Sequence, residues 1–307
     1  MRRHLIHIVL FILTVISTWM TGGPGYSIAI MLILLGHELG HYFMSRRHGM
    51  KATLPFFLPF PLSPFGTLGA VIRMEGSLAS RKAIFDTGVA GPLISLILSI
   101  PAIAVGLKLS VLIPTSQIKE GTIRLADPFL FSLIQRLVLG EIPENVDVML
   151  HPIGYAGWVG LFVTALNLFP VGQLDGGHIA YALFGKRSRA IFLIAIAVMG
   201  FITIFYNPGW ILMLILMILF GFRHPMPLDD QTPIDGKRKL IGWMMFLVFL
   251  LSFTPSPFPQ FAEEINRPSA GSKSYPPNYC KLGTPPYFCR YGDDDFCGNK
   301  IGKCPQF

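Results

Sequence analysis

Charged residues are scarce in this sequence, and their scarcity indicates the class of protein. Only 14% of its 307 residues are charged and 52% are hydrophobic, whereas about 25% of residues in soluble domains are charged. With several apolar runs long enough to cross a bilayer, this deficit indicates a membrane protein. The net charge of +8 does not predict nucleic-acid binding, because the basic residues lie in short groups at the ends of apolar runs.

Cysteine is absent before residue 280. Eight, seven and six residues separate the four cysteines, which therefore lack the CxxC pairs of structural zinc sites. They are Cys280, Cys289, Cys297 and Cys304. All lie in a Pro-, Gly- and Ser-rich tail, for which we expect two disulfides if it is extracytoplasmic. Free thiols and a metal site are the alternatives.

Seven apolar runs predict an all-α polytopic membrane protein with six to seven transmembrane helices. They lie at about 5–20, 26–44, 86–107, 153–175, 189–206, 209–222 and 238–253. The sixth and seventh are short for a bilayer of about 30 Å, so the count stays open. Basic groups follow the even-numbered runs, and the positive-inside rule places those turns in the cytoplasm.

The first run can be interpreted as a retained helix or as a cleaved signal peptide. It follows Arg2 and Arg3 and continues into TGGPG without a clear small-x-small cleavage site, so we expect a retained helix. No Arg- and Ser-rich transit peptide precedes it. The sequence therefore favours a multi-pass protein of a prokaryotic cytoplasmic membrane.

Two stretches between the runs are not ordinary spans. Residues 52–85 are apolar but contain several prolines, which remove backbone donors and disfavour a helix. We expect a re-entrant or extended loop there, with GTLGAVIRM as extended chain near the membrane face. Residues 108–150 are predicted to form a loop with one short amphipathic helix around FLFSLIQRLVL. The expected domains are a transmembrane domain, 1–253, and the tail, 254–307.

HELGH, residues 37–41 in the second run, carries the predicted chemistry. On a helix, histidines at i and i+4 lie about 6 Å apart along the axis on one face, which suits two Zn²⁺ ligands. Glu38 can then accept a proton from a metal-bound water. Lipid exposure of these groups would cost several kcal/mol each, so we expect them to face inward. Counting back from Arg46 places His37 roughly 13 Å below the charged edge, in the cytoplasmic half of the bilayer.

The third metal ligand must come from elsewhere in the chain, since a catalytic zinc site has three protein ligands and an open position for water. Asp175 is the favoured candidate. It lies at the cytoplasmic end of the predicted 153–175 span, and the two glycines after it allow a close backbone approach. His178 is the competitor, three residues on and nearer the basic loop. A purely structural role for the two histidines and Glu38 is the alternative reading.

At these residues the sequence resembles the site-2 protease family of intramembrane metalloproteases, in a form without a PDZ domain. The matching elements are HELGH (37–41), FDTGVAGPLIS (85–95), NLFPVGQLDGGH (167–178) and the Pro-rich stretch 55–72. The specific motifs lie in 36–95 and 164–178. The resemblance implies that His37, His41 and Asp175 bind zinc and that Glu38 is the general base.

The resemblance also implies how a substrate is held. Asn167 and Pro170, of an N-x-x-P element, are expected in the active-site cleft. The GTLGAVI stretch, with Gly66 and Gly69, is expected either to meet an unwound substrate as an added strand or only to cover the cavity. The implied substrate is a transmembrane segment of another protein, usually cut once before outside the membrane. The lipid bilayer is the other expected partner.

Several features limit this expectation. Residues 108–150 are too short for a PDZ domain, and no cystathionine-synthase-like domain follows the last run, so gating by such domains does not carry over. One alternative is a membrane HExxH protease that acts on substrates other than transmembrane segments. Another is a metal or ion transporter, in which intramembrane His and Asp line a pathway. The oligomeric state is not predicted.

Overall fold

Helices dominate the computed structural model, which describes residues 2–75, 80–118, 122, 124–221, 229–230 and 232–259. Within these ranges there are eight α-helices. They are α1 (Arg2–Arg47), α2 (Arg81–Lys108), α3 (Phe129–Leu139), α4 (Pro152–Asn167), α5 (Asp175–Phe184), α6 (Ser188–Phe205), α7 (Ile211–Gly221) and α8 (Gly236–Ser252). Short 3₁₀ turns occupy Thr115–Gln117, Gly185–Arg187 and Pro208–Trp210. The four cysteines lie outside the described residues.

Helix α1 consists of two helices joined at a sharp break. Gly23 has φ 77° and ψ −176°, and Pro24 follows it. Past the break, Ser27 Oγ donates to the Val15 carbonyl at 3.2 Å and lies 2.7 Å from Thr18 Oγ1. In one straight helix Val15 and Ser27 would be about 18 Å apart. The two halves therefore fold back on each other at TGGPG, which separates the first two predicted runs.

Three helical stretches of the described residues are long and apolar enough to cross a membrane. They are Leu5–Arg47, Arg81–Lys108 and Asp175–Phe205, the last of which joins α5 and α6. Helices α4, α7 and α8 have 16, 11 and 17 residues and do not reach this length. The chain is thus a helical protein with membrane-spanning candidates, whereas the count of six to seven spans stays a prediction.

The outer face of the second half of α1 is apolar. Ile28, Leu32 and Phe43 recur at helical spacing and are exposed over more than half of their surface. A large exposed apolar face on a helix of spanning length is typical of contact with lipid. The polar residues of HELGH lie on the other, buried face.

The loops contain three two-stranded antiparallel sheets, so the all-α class needs a correction. The strands are β1 (Lys51–Ala52) with β4 (Met74–Glu75), β2 (Phe56–Pro59) with β3 (Thr67–Val71), and β5 (Val111–Pro114) with β6 (Val146–Met149). The prolines at 55, 59, 61 and 64 disfavour a helix in and around β2, while backbone groups in apolar surroundings still need partners. Pairing as hairpins satisfies both conditions.

The hairpin formed by β2 and β3 runs along the first half of α1. At its base, the Pro55 carbonyl accepts a hydrogen bond from His7 Nδ1 at 3.0 Å. At its tip, the Gly66 carbonyl accepts one from Ser17 Oγ at 2.5 Å. These contacts are about 15 Å apart along α1. The Pro-rich segment is therefore a hairpin that lies along α1 with its tip near the break; because it turns back on itself, it is called the re-entrant hairpin below.

The predicted span 153–175 is wrong as a single helix. Helix α4 ends at Asn167, and Asp175 is the first residue of α5. Pro170 lies between them, and proline disfavours helical backbone at itself and at the preceding residue. Asp175 therefore follows a break instead of closing the fourth helix. The amphipathic helix predicted within 108–150 is present as α3, whereas the pairing of β5 with β6 was not predicted.

Helices α1, α2 and α4 make the principal helix-to-helix contacts of the fold. Trp158 of α4 is fully buried among them and donates from Nε1 to the Ala126 carbonyl at 2.9 Å. The first residues of the predicted tail belong to the same unit: the carbonyl of Pro255 accepts from Trp210 Nε1 at 2.7 Å. Helix α5 and the break before it pack against α2 and α8, which brings Asp175 toward α1.

Candidate metal site

The helical spacing of HELGH produces the geometry that the sequence predicts. His37, Glu38 and His41 lie on the buried face of α1 and are 4%, 6% and 7% exposed. The two Nε2 atoms are 2.9 Å apart, one helical turn from each other. Both imidazoles therefore present the same nitrogen to one point.

Asp175 completes a group of three converging ligand atoms. Its Oδ2 lies 3.3 Å from Nε2 of His37 and 3.3 Å from Nε2 of His41. The ligand atoms all lie within 4.8 Å of one another, and among the described residues this is the one group of three or more His, Cys, Asp or Glu with that property. Asp175 reaches α1 because it begins α5, directly after the break.

The outer nitrogen of each imidazole is held by α2. His41 Nδ1 lies 2.8 Å from the carbonyl oxygen of Thr87, and His37 Nδ1 lies 2.8 Å from Ser95 Oγ. A carbonyl can only accept, so His41 carries a proton on Nδ1 and turns Nε2, the nitrogen that would bind a metal, toward Asp175. Such outer partners orient the histidines of metal sites and raise their basicity.

Thr87 and Ser95 had no role in the sequence-based prediction, although the FDTGVAGPLIS motif contains both. They lie eight residues apart, with Gly91 between them, so all three share one face of α2. A Cβ at Gly91 would lie 2.2 Å from His41 Nε2. Small or polar residues at every fourth position of the next helix are the signal that could have identified this face.

Glu38 faces the end of the re-entrant hairpin. The backbone N–H of Ile72, the residue after β3, lies close enough to its carboxylate to interact with it electrostatically. Strand β3 thus runs from the hairpin tip near Ser17 to the base beside Glu38. An extended chain along β3 would end at the motif's glutamate.

The four residues predicted to contact substrate lie in three places. Asn167, the last residue of α4, has its Nδ2 3.2 Å from His37 Nε2, beside the converging group. Pro170 is half-buried within the break. Gly69 lies in β3 with φ 98°, and Gly66 lies at the hairpin tip with φ 72°. The structure brings Asn167 to the cluster and leaves Gly66 at the far end of the hairpin.

His178, the competitor for the third ligand, is buried on α5 and directed toward α2. A Cβ at Gly88 would lie 2.9 Å from the Cβ of His178. His178 is not a member of the converging group. The geometry therefore favours Asp175.

The residues present fit a zinc ion. Two imidazole nitrogens and one carboxylate oxygen, with a fourth position left for water, form a donor set of catalytic zinc sites. Here the donors converge, both imidazoles are anchored at Nδ1, and Glu38 lies beside them. A structural role alone would not require three ionisable groups to meet inside apolar helices.

Family comparison gives the same reading. The sequence model of peptidase family M50 matches residues 25–206, more than half of the chain. The chain belongs to peptidase family M50. The matched region contains HELGH, the FDTGVAGPLIS motif and the LDG element, and it confirms the resemblance to the site-2 proteases.

The relatives carry the names of zinc metalloproteases. The chain is 30% identical over 249 residues to a protein of Arabidopsis thaliana named "Probable zinc metalloprotease EGY2, chloroplastic" and 32% identical over 251 residues to the corresponding EGY1. Each alignment covers 77% of this chain, but only 42% and 43% of the relative. The chain thus spans less than half the length of these relatives. No solved structure matches the chain.

Two expectations change with these relatives. Their names support zinc as the metal that the group of His37, His41 and Asp175 fits. The same names place the relatives in chloroplasts, so the prokaryotic cytoplasmic membrane expected from the sequence gains no support. What remains established about location is a membrane protein family and helices of spanning length.

Proposed function

We propose that this chain is a zinc-dependent endopeptidase that cuts transmembrane segments of other membrane proteins. The single observation that carries the proposal is the convergence of His37, His41 and Asp175 beside Glu38 on helices apolar enough to cross a membrane. Residues 1–253 would form the membrane metalloprotease domain, with its active site in the half of the bilayer nearer the basic end of α1. The part of the predicted tail, 254–307, that follows the residues packed against this domain would be extracytoplasmic and accessory.

In this proposal His37, His41 and Asp175 hold zinc, which when bound polarises the scissile carbonyl and lowers the pKa of water. Glu38 accepts the proton of the attacking water and delivers it to the leaving amine. The Ile72 N–H, close to Glu38, would help to stabilise its carboxylate. Asn167, 3.2 Å from His37, donates its amide N–H to the substrate carbonyl or to neighbouring substrate backbone.

The re-entrant hairpin supplies a means of holding the substrate. A transmembrane helix hides its carbonyls in i to i−4 hydrogen bonds, so the substrate must unwind before it is cut. Strand β3 pairs with β2 along one edge, and its end lies beside Glu38. An unwound substrate pairing with the other edge of β3 would be led to the reacting atoms. Gly69 would allow close approach along that edge, and Pro170 would shape the opposite wall.

The test uses the purified protein reconstituted in lipid vesicles with zinc and a single-span substrate. We expect Glu38→Gln to retain zinc and to lose about 10²- to 10⁴-fold of the cleavage rate. Glu141→Gln, at an exposed acid of the 140–145 loop, is the control and should cleave normally. Zinc-loaded Glu38→Gln that cleaves at the wild-type rate would exclude this mechanism.

The same vesicles separate the rival functions. If the protein cuts a soluble peptide of the same sequence as fast as the membrane-embedded one, it is a membrane protease for other substrates. If zinc crosses the vesicle membrane and no peptide is cut, it is a transporter. The proposal predicts cleavage that requires the substrate to be embedded.

A further inference from the structure

We propose that Asp86 and Arg238 are positioning residues for the metal site, and that α8 fixes the His41 ring through them. This inference rests on the proposed zinc site of the previous section. The family match ends at residue 206, so α8 lies outside the region that the family model covers.

Asp86 is the centre of a hydrogen-bonded cluster, with two partners from two other parts of the chain. Arg238 of α8 binds it with two hydrogen bonds, from Nε to Oδ1 and from Nη2 to Oδ2, each of 2.7 Å. His48, just after α1, lies 2.9 Å from Oδ2 through Nε2. Arg238 also pairs with Asp235, which caps α8. Asp86, His48, Arg238 and Asp235 are called the Asp86 cluster below.

The cluster is adjacent to the metal site in the chain and in space. Asp86 is bonded to Thr87, whose carbonyl accepts the His41 Nδ1 proton at 2.8 Å. His48 lies seven residues after His41, about two helical turns farther along the chain and just beyond the end of α1. The second turn of α2 is therefore held to the C-terminal end of α1 and the residue after it at two levels, by Thr87 with His41 and by Asp86 with His48.

Arg238 anchors this turn of α2 from the third side. A bidentate pair of guanidinium and carboxylate fixes direction as well as distance. The pair is partly shielded, because the side chain of Asp86 is 15% exposed and that of Arg238 is 28% exposed. Farther along α8, the ring of Phe249 packs against Phe169 of the break at 4.9 Å. Helix α8 thus contacts α2, which holds the outer nitrogens of the two histidines, and the break that precedes Asp175.

The experiment measures how fast zinc leaves the full-length protein when a chelator is added, together with cleavage of the single-span substrate. We expect Arg238→Gln and Asp86→Asn each to speed zinc release by about 3- to 10-fold, less than for a direct histidine partner. Arg238→Lys keeps the charge but loses the planar guanidinium that makes two hydrogen bonds. Its rate of zinc release should therefore lie between the rates of these variants and that of the wild type. The double variant should be no worse than the single ones, because both remove one interaction.

Asp235→Asn is the matched control. It contacts the same arginine and caps the same helix, but it does not touch Asp86. Wild-type zinc release is expected for it. The inference is overturned if Arg238→Gln and Asp86→Asn release zinc at the wild-type rate, or if Asp235→Asn speeds release as much as Arg238→Gln.

Further measurements separate a folding defect, or a failure of the proposed peptidase function, from an effect on zinc release. Size-exclusion profiles and thermal unfolding in detergent identify a variant that fails to fold. If Arg238→Gln fails, the order of wild type, Arg238→Lys and Asp86→Asn decides, and equal release rates reject the proposal. If the wild type holds zinc but cuts nothing, the proposed peptidase function fails, while the order of zinc release still tests the role of Asp86 and Arg238.

Discussion

The second half of α1 and the segment from α4 to α5 supply the metal site in different ways. In α1 the backbone is a regular helix, and the 3.6-residue period alone places His37 beside His41. From α4 to α5 the helix stops at Asn167 and restarts at Asp175. Helix α1 provides two histidines through the regular period of a helix, and the segment from α4 to α5 provides Asp175 through a break between two helices.

The break depends on close passage of backbone, for which glycine is required. A Cβ at Gly176 would lie 1.9 Å from the carbonyl oxygen of Leu168, and one at Gly177 would lie 2.4 Å from that of Val171. The demand at Gly40 of HELGH is smaller, because a Cβ there would lie 2.7 Å from the carbonyl oxygen of Ala90. We infer that an added methyl group destabilises the protein more at Gly176 or Gly177 of the break than at the glycine of HELGH.

The largest effect is expected for Gly176→Ala. The added methyl group meets backbone oxygen, which cannot move like a side chain, so we expect a loss of about 3 kcal/mol or more of unfolding free energy and no bound zinc. Gly200→Ala in α6 is the control, since a Cβ there meets nothing within 4 Å. It should be neutral or stabilising by up to about 1 kcal/mol. Thermal unfolding and zinc content measure both; a Gly176→Ala protein that unfolds like wild type would refute the argument for the break.

Asn167→Ala tests the last residue before the break. If its amide N–H acts on the substrate carbonyl, the cleavage rate should fall by about 100-fold while zinc stays bound. Asn145→Ala, at an exposed position of the 140–145 loop, should cleave normally. Loss of zinc together with activity would instead show that Asn167 supports His37 and not the substrate.

Ser95→Ala should give a smaller effect, on the α1 side of the comparison. Removing the partner of His37 Nδ1 is expected to weaken zinc affinity by about 10- to 100-fold. Ser99→Ala lies one turn farther on α2, and its buried hydroxyl has no hydrogen-bond partner among the described residues. It should leave zinc affinity unchanged. Equal affinities of the two variants, measured by competition with a chelator, would exclude an orienting role for Ser95.

The features that the sequence predicts are local ones, like the regular period of α1. The periodicity of α1 predicts the face that carries His37, Glu38 and His41, and prolines predict that residues 52–85 are not helical. The turn at TGGPG and the helix α3 are local patterns of the same kind. Each depends on residues within one or two turns of each other, so each is visible without tertiary structure.

What the sequence does not predict depends on distant partners. The end of α4 is a partial exception, because Pro170 marks a break locally although the apolar run continues past it to Leu174. Ser95 binds a histidine 58 residues away, and Arg238 binds an aspartate 152 residues away. Neither contact has a period along the chain. The LDG element nonetheless indicates Asp175. A motif is recognised from the order of its residues, even where the backbone conformation cannot be predicted.

The central claim is that the break delivers Asp175, and not His178, to the histidine pair of α1. Zinc bound per chain in purified wild type, Asp175→Ala and His178→Ala tests it most directly. The claim predicts that zinc in Asp175→Ala falls below about a tenth of the wild-type content after mild chelation, while His178→Ala keeps the wild-type content. Wild-type zinc in Asp175→Ala, or its loss in His178→Ala, would contradict the claim.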